Sequence, residues 1–105
     1  MTTITIYSMT PRLDVPAHCD EKHVRGVWAA HLDVHDGVLM GPRWTVTHVP
    51  TGGSLRKDMT QAQAEALLAK LPETFAAECA YGPEGARKLC EHTGATRVAK
   101  LAESV

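Results

Sequence analysis

Apolar and polar residues alternate with a period of two through the first half of the chain and recur every three to four positions through the second. Strand side chains point to opposite faces in turn, whereas a helix returns to one face after about 3.6 residues, so the change of period near Asp58 predicts strands first and helices after. The run Thr3-Ile4-Thr5-Ile6-Tyr7-Ser8 reads as a strand over 3–8, with Ile4 and Ile6 on one face. A second strand is predicted over 27–35, with Trp28, Ala30, Leu32 and Val34 facing one way and Ala29, His31, Asp33 and His35 the other. Asp36-Gly37 is a hairpin signal after it. A third strand over 44–49 sets Trp44, Val46 and His48 against Thr45, Thr47 and Val49, and Pro50-Thr-Gly-Gly-Ser54 supplies turn residues that tolerate positive φ. Between the first two strands, Pro11 to Gly26 begins with prolines and reads as a loop followed by one or two helical turns around Pro16 to Arg25.

Beyond Asp58, Ala64, Leu67, Leu68 and Leu71 form one helical stripe and Thr60-Gln-Ala-Gln63 reads as a capping box, which predicts a helix over 60–71 ended by Pro72. Glu73 to Ala80 and Pro83 to His92 read as two further helices, closed by Gly94. For Ala95 to Val105 a helix carrying Val98, Leu101, Ala102 and Val105 is favoured over an edge strand. The expected fold is α+β: one domain spanning 1–105, with a small antiparallel β-sheet of about three to four strands packed against a helical C-terminal half.

Composition narrows the function. The 105 residues are 44% hydrophobic and 22% charged, with 11 Lys+Arg against 12 Asp+Glu. That balance fits a folded chain and excludes a general polyanion binder, which needs a surplus of cations to release counterions. A nucleic-acid surface would need Arg43, Arg56, Lys57, Arg87, Lys88, Arg97 and Lys100 to converge on one face. No apolar run approaches the roughly 20 residues of a membrane helix, and the first residues lack the features of a signal peptide, so a cytoplasmic protein without membrane contact is expected. The odd count of three cysteines, Cys19, Cys79 and Cys90, suits reduced thiols.

Six histidines raise the question of a metal or thiol enzyme. His18-Cys19-x-x-x-His23, His31-x-Asp33-x-His35 and Cys90-x-His92 bring ligand types close in sequence. On a strand the outer members of the second trio lie too far apart for one tetrahedral zinc, so these read as polar residues of a half-exposed strand. Cys19 and His23 would meet on a helical turn as a nucleophile and base. Cys79 and Cys90 read as packing residues, as do Trp28 and Trp44. Thr51-Gly-Gly-Ser54 lacks the spacing of a phosphate loop. No metal ligand, cofactor site or catalytic residue is assigned.

The stretch Trp44-Thr-Val-Thr-His-Val-Pro-Thr-Gly52, followed by Thr60-Gln-Ala-Gln-Ala-Glu-Ala-Leu-Leu-Ala-Lys-Leu71, resembles small proteins of proteobacterial phages and mobile elements, over under a third of the chain. The resemblance implies a compact protein that binds a host protein or complex and blocks it, as anti-CRISPR inhibitors do. A protein-binding inhibitor is therefore the leading expectation, with a metal- or thiol-dependent enzyme as the alternative and a nucleic-acid binder third. The turn after the third strand is expected to project, which makes Arg43, Gly52, Gly53, Arg56 and Lys57 the candidate partner-binding residues.

Overall fold

The computed structural model describes residues 2–9, 12–35 and 38–105. Among the described residues, six strands precede three helices: β1 (Thr2–Met9), β2 (Arg12–Cys19), β3 (Val24–Arg25), β4 (Trp28–His35), β5 (Val38–His48), β6 (Gly53–Met59), α1 (Gln61–Lys70), α2 (Pro83–Glu91) and α3 (Ala95–Glu103). β1 and β2 form a two-stranded antiparallel sheet, and β3-β4-β5-β6 form a four-stranded antiparallel sheet in that order. This is the α+β fold expected, with more strands.

Helices cover one face of the four-stranded sheet. Trp28 and Ala30 of β4, Val46 of β5 and Met59 of β6 pack there on Ala64, Leu67, Leu68 and Leu71 beside α3's Val98 and Ala102. The predicted stripe of α1 is thus its buried face. Its capping box is present: the Gln63 amide donates to Thr60 Oγ1 at 3.1 Å and the Thr60 amide donates to Gln63 Oε1 at 3.0 Å. Residues 95–103 are helical, which settles the open choice at the C-terminus.

The opposite face is covered by β1–β2. Ile4, Ile6, Ala17 and Cys19 close over Ala29, with Val24 and Val49 at the margin. This corrects the expected loop and helical turns between Pro11 and Gly26: among the described residues there, β2 and β3 flank a single short 3₁₀ turn over Glu21–His23. Pro16 misdirects the reading, because proline is tolerated on an edge strand, where a missing N–H need not break a ladder. The burial also overturns the half-exposed reading of β4 at His31, which lies buried between the two sheets together with Thr45 and Thr47 of β5. Asp36-Gly37 and the side chains of Asp33 and His35 lie outside the described residues. β5 begins earlier than the expected 44, and its residues 41–43 form a bulge, since Leu32 pairs with Trp44 but Asp33 pairs with Met40. Pro42 sits in that bulge, where it breaks no ladder bond.

The helix expected over 73–80 is instead a chain of turns. Carbonyls of this segment and of Pro72 before it are taken by donors in and beside the sheet: Trp28 Nε1 donates to Pro72 O, the Val27 amide to Glu73 O, and His48 Nε2 to Phe75 O, each at 2.8 Å. Ala76, at φ 50°, reverses the backbone. A continuous α-helix would need those carbonyls for its own i+4 amides. Gly26, at φ 59°, lets the β3–β4 turn meet this segment, because a Cβ there would lie 2.2 Å from Glu73 O.

Candidate functional site

The residues expected to form a partner-binding tip do not project together. The turn after β5 is tucked inward: Thr51 and Gly52 are buried, the Gly52 amide donates to His48 O at 2.8 Å, and the Gly82 amide donates to Thr51 O at 3.1 Å. Gly52 takes φ 74°, the positive value anticipated for the turn. A Cβ at Gly53 would lie 3.5 Å from Ala86 Cβ, so the turn leans on α2. Arg56 bends toward α3, where Nη1 donates to Ala102 O at 2.6 Å and Val105 O at 2.9 Å. It caps the orphan carbonyls of a helix C-terminus, where a cation also meets the negative end of the helix dipole. Lys57 and Arg43 remain exposed, with Arg43 Nε 3.3 Å from Asp58 Oδ1. An ion pair that open to water is worth little and leaves Arg43 available.

A second arginine does for α1 what Arg56 does for α3. Arg25 Nη1 donates to Leu68 O at 3.0 Å and to Ala69 O and Leu71 O at 2.8 Å. Neither role was visible in the sequence, because each joins residues more than 40 positions apart.

The histidines are engaged inside the fold. His48, fully buried, donates from Nε2 to Phe75 O, so its Nδ1 accepts from the Thr51 hydroxyl at 3.0 Å. The ring stands edge-on to Trp28, with centroids 5.0 Å apart. Burial lowers its pKa, which favours the neutral ring. His31 donates from Nδ1 to Leu32 O at 2.7 Å, which leaves Nε2 to accept from Thr47 Oγ1 at 2.6 Å. His23 Nε2 meets Glu65 Oε1 at 3.0 Å, and His92 Nε2 meets Glu78 Oε1 at 3.2 Å. The His23 bond, with a second from Gln61, holds the Glu65 carboxyl below its usual range.

The front cluster of the sequence comes nearest to a site. His18, Cys19, Asp20, Lys22, His23, Ala30, His31, Leu32 and Trp44 line a pocket of about 280 Å³ between the end of β2 and β4. Strand parity nevertheless separates its best ligand pair: His18 is exposed and bonds Thr3 Oγ1 through Nδ1 at 3.0 Å, while Cys19 points into the inter-sheet core. Burial, reinforced by the charge of Asp20, raises the Cys19 thiol pKa, which is the reverse of an activated nucleophile. The expected helical turn joining Cys19 to His23 is replaced by the end of a strand and a 3₁₀ turn. Among the described residues, no three His, Cys, Asp or Glu side chains converge as metal ligands. Also among the described residues, no helix is long and apolar enough to cross a membrane. No known protein family, curated protein or solved structure matches the chain.

Proposed function

We propose that this chain is a protein-binding module that acts on a host protein by occupying it, in the manner of a phage- or mobile-element-encoded inhibitor working in the cytoplasm. The observation that carries the reading is the use the fold makes of its reactive groups. His23, His31, His48 and His92 are each tied to a side chain or carbonyl of another element or turn, and the Cys19 thiol is buried with a raised pKa. A catalytic base or nucleophile needs an open partner in a cleft and a pKa moved toward the working pH. The two exposed cations at the β5–β6 edge, Arg43 and Lys57, are the surface charges of the original candidate set that remain available, while Arg56 serves α3.

The test is affinity capture from a host lysate, followed by reconstitution with the purified partner. The expected result is a saturable one-to-one complex that Arg43→Glu with Lys57→Glu weakens at least tenfold, about 1.4 kcal/mol, with little change in melting temperature. Failure to retain any partner stoichiometrically, or metal-dependent turnover by the purified chain, would defeat the reading.

A further inference from the structure

We propose that the cleft between β6, α2 and α3 binds a small, uncharged aromatic molecule bearing a single hydrogen-bonding group; this goes beyond the protein-binding reading and does not depend on it. The cleft has a volume of about 360 Å³, at the small end of the roughly 300–1,000 Å³ that small-molecule sites occupy. Small side chains make the room. Ala95 and Ala99 stand one helical turn apart on α3 and line the cleft together, while Ser54 lines it from β6. Half-buried Leu55 of β6 and Leu89 of α2 supply apolar walls.

The floor is aromatic and held in place. Phe75 stacks on the buried Trp28, with ring centroids 6.0 Å apart and planes 11° from parallel, and meets His92 edge-on at 4.6 Å. Its backbone is fixed by the His48 bond, and the turn before α3 comes so close that a Cβ at Gly94 would lie 2.9 Å from Phe75 Cε2. A ring already ordered by its neighbours loses little freedom when a ligand packs on it. A flat aromatic body gains from such a floor beyond the area it buries.

Charge narrows the occupant further. Among the described residues lining the cleft, none is charged. The charges of α2 beside it pair with one another: Arg87 reaches Glu84 at 3.7 Å and Glu91 at 3.3 Å, and Lys88 reaches Glu84 at 3.9 Å. An ionised ligand would give up its water there without meeting a counter-charge, so the molecule that fits is neutral. Polar atoms are few: the hydroxyls of Ser54 and Thr96 and the thiol of Cys90, all on exposed residues. A hydroxyl both donates and accepts, so one polar group on the ligand finds its partner at the mouth while the ring lies inside. By contrast, the concavity of about 500 Å³ beside α1 mixes Lys22 and Arg25 with Glu65 and has no Phe, Tyr or Trp in its lining.

The probe is indole, two fused rings with one N–H donor, titrated into the ¹⁵N-labelled full chain. Amide shifts should concentrate at Ser54, Leu55, Leu89, Cys90 and residues 95–99, with intermolecular NOEs from the indole ring to the Leu89 and Val98 methyls. The expected dissociation constant is below about 1 mM, which asks of each heavy atom a gain between those of drug-sized ligands and of the smallest ones. Indolecarboxylate, the same rings with a charge, should bind about tenfold more weakly. Ala99→Leu, at an exposed helical position, should fill the cleft and weaken indole about tenfold with little change in melting temperature. Ser54→Ala with Thr96→Val keeps the shape and should weaken indole about threefold. Shifts mapping outside the cleft, equal binding of indolecarboxylate, no shift at millimolar indole, or full affinity in a folded Ala99→Leu variant would overturn the proposal. Displacement of indole by the purified lysate partner would overturn it too, because a side chain of that partner would then be the occupant. If Ala99→Leu does not fold, the NOEs and the indolecarboxylate ratio decide.

Discussion

The two faces of the four-stranded sheet are both buried, yet by opposite chemistry. Toward the helices, Trp28, Val46 and Met59 meet Leu67, Leu68 and Leu71 in an apolar layer interrupted by the neutral ring of His48. Toward β1–β2, Ile4, Ile6, Ala17 and Cys19 close over a surface that includes His31, Thr45 and Thr47. One layer is held mainly by apolar area. The other is held by fewer apolar contacts together with hydrogen bonds that must be complete, because a buried polar group left alone costs more than a made bond returns.

The contrast is tested most severely by equal truncations on the two sides. Leu67→Ala removes a fully buried side chain from the larger cluster and should cost about 3 kcal/mol in urea unfolding. Ile6→Ala, in the smaller cluster, should cost about 2 kcal/mol, since a thin two-stranded cover can settle into the space. A loss for Ile6→Ala that exceeds that for Leu67→Ala would reverse the ranking of the layers. Next comes the polar side. Thr47→Val keeps the shape but strips His31 Nε2 of its 2.6 Å partner, and should cost about 2 kcal/mol. Adding His31→Leu to Thr47→Val should recover about half of that loss, because neither lone group then remains. Strict additivity of the two substitutions would show that the pair is not coupled.

How far each layer was legible follows from the same chemistry. The helix side could be read from residues: Ala64, Leu67, Leu68 and Leu71 keep a helical period, Thr60 and Gln63 form the capping box, and Trp28 with Val46 shares a strand parity. The other side could not, since threonine and histidine on a strand look like solvent-facing residues until a second layer is known to cover them. Pro16 hid that layer. The segment 73–80 failed for a related reason: its alanines favour helix, but Val27 and His48 claim its carbonyls, and Trp28 that of Pro72 before it, from far away in sequence. Of the candidate partner residues, Arg43 and Lys57 were placed on the surface as expected, while Arg56 was committed to α3 by a contact no local pattern announces.

His48 gives the helix side a pH dependence that the apolar contacts alone would lack. Desolvation lowers its folded pKa from the ordinary 6.5, against smaller opposing effects of the Phe75 carbonyl and Glu78, and His92 lowers it further. As pH falls through about 6.5 the unfolded chain takes up the proton before the folded one, so stability present above that pH is lost below it. Glu65, held down chiefly by its His23 bond, and Glu78, held down chiefly by its own amide, act in a separate window: their contribution persists above about 4.5 and fades as pH falls further. Urea midpoints at pH 7.5, 6.0 and 5.0 should therefore decline for the native chain, and His48→Gln should flatten the decline. An unchanged slope in that variant would remove His48 as its source.

The smallest effects separate structural from available cations. Arg56→Ala strips the end of α3 of a donor to two carbonyls and should cost about 1 kcal/mol, with fraying of the last turn visible as faster amide exchange near Ser104. Lys57→Ala, next to it in sequence but exposed, should stay within about 0.5 kcal/mol of the native chain. Arg43→Ala should do the same, because its partner Asp58 is itself 78% exposed and water replaces the lost charge contact. If Lys57→Ala or Arg43→Ala destabilises as much as Arg56→Ala, that cation is serving the fold. A weakened partner complex in the Arg43→Glu and Lys57→Glu variant would then reflect a damaged β5–β6 edge instead of a lost contact.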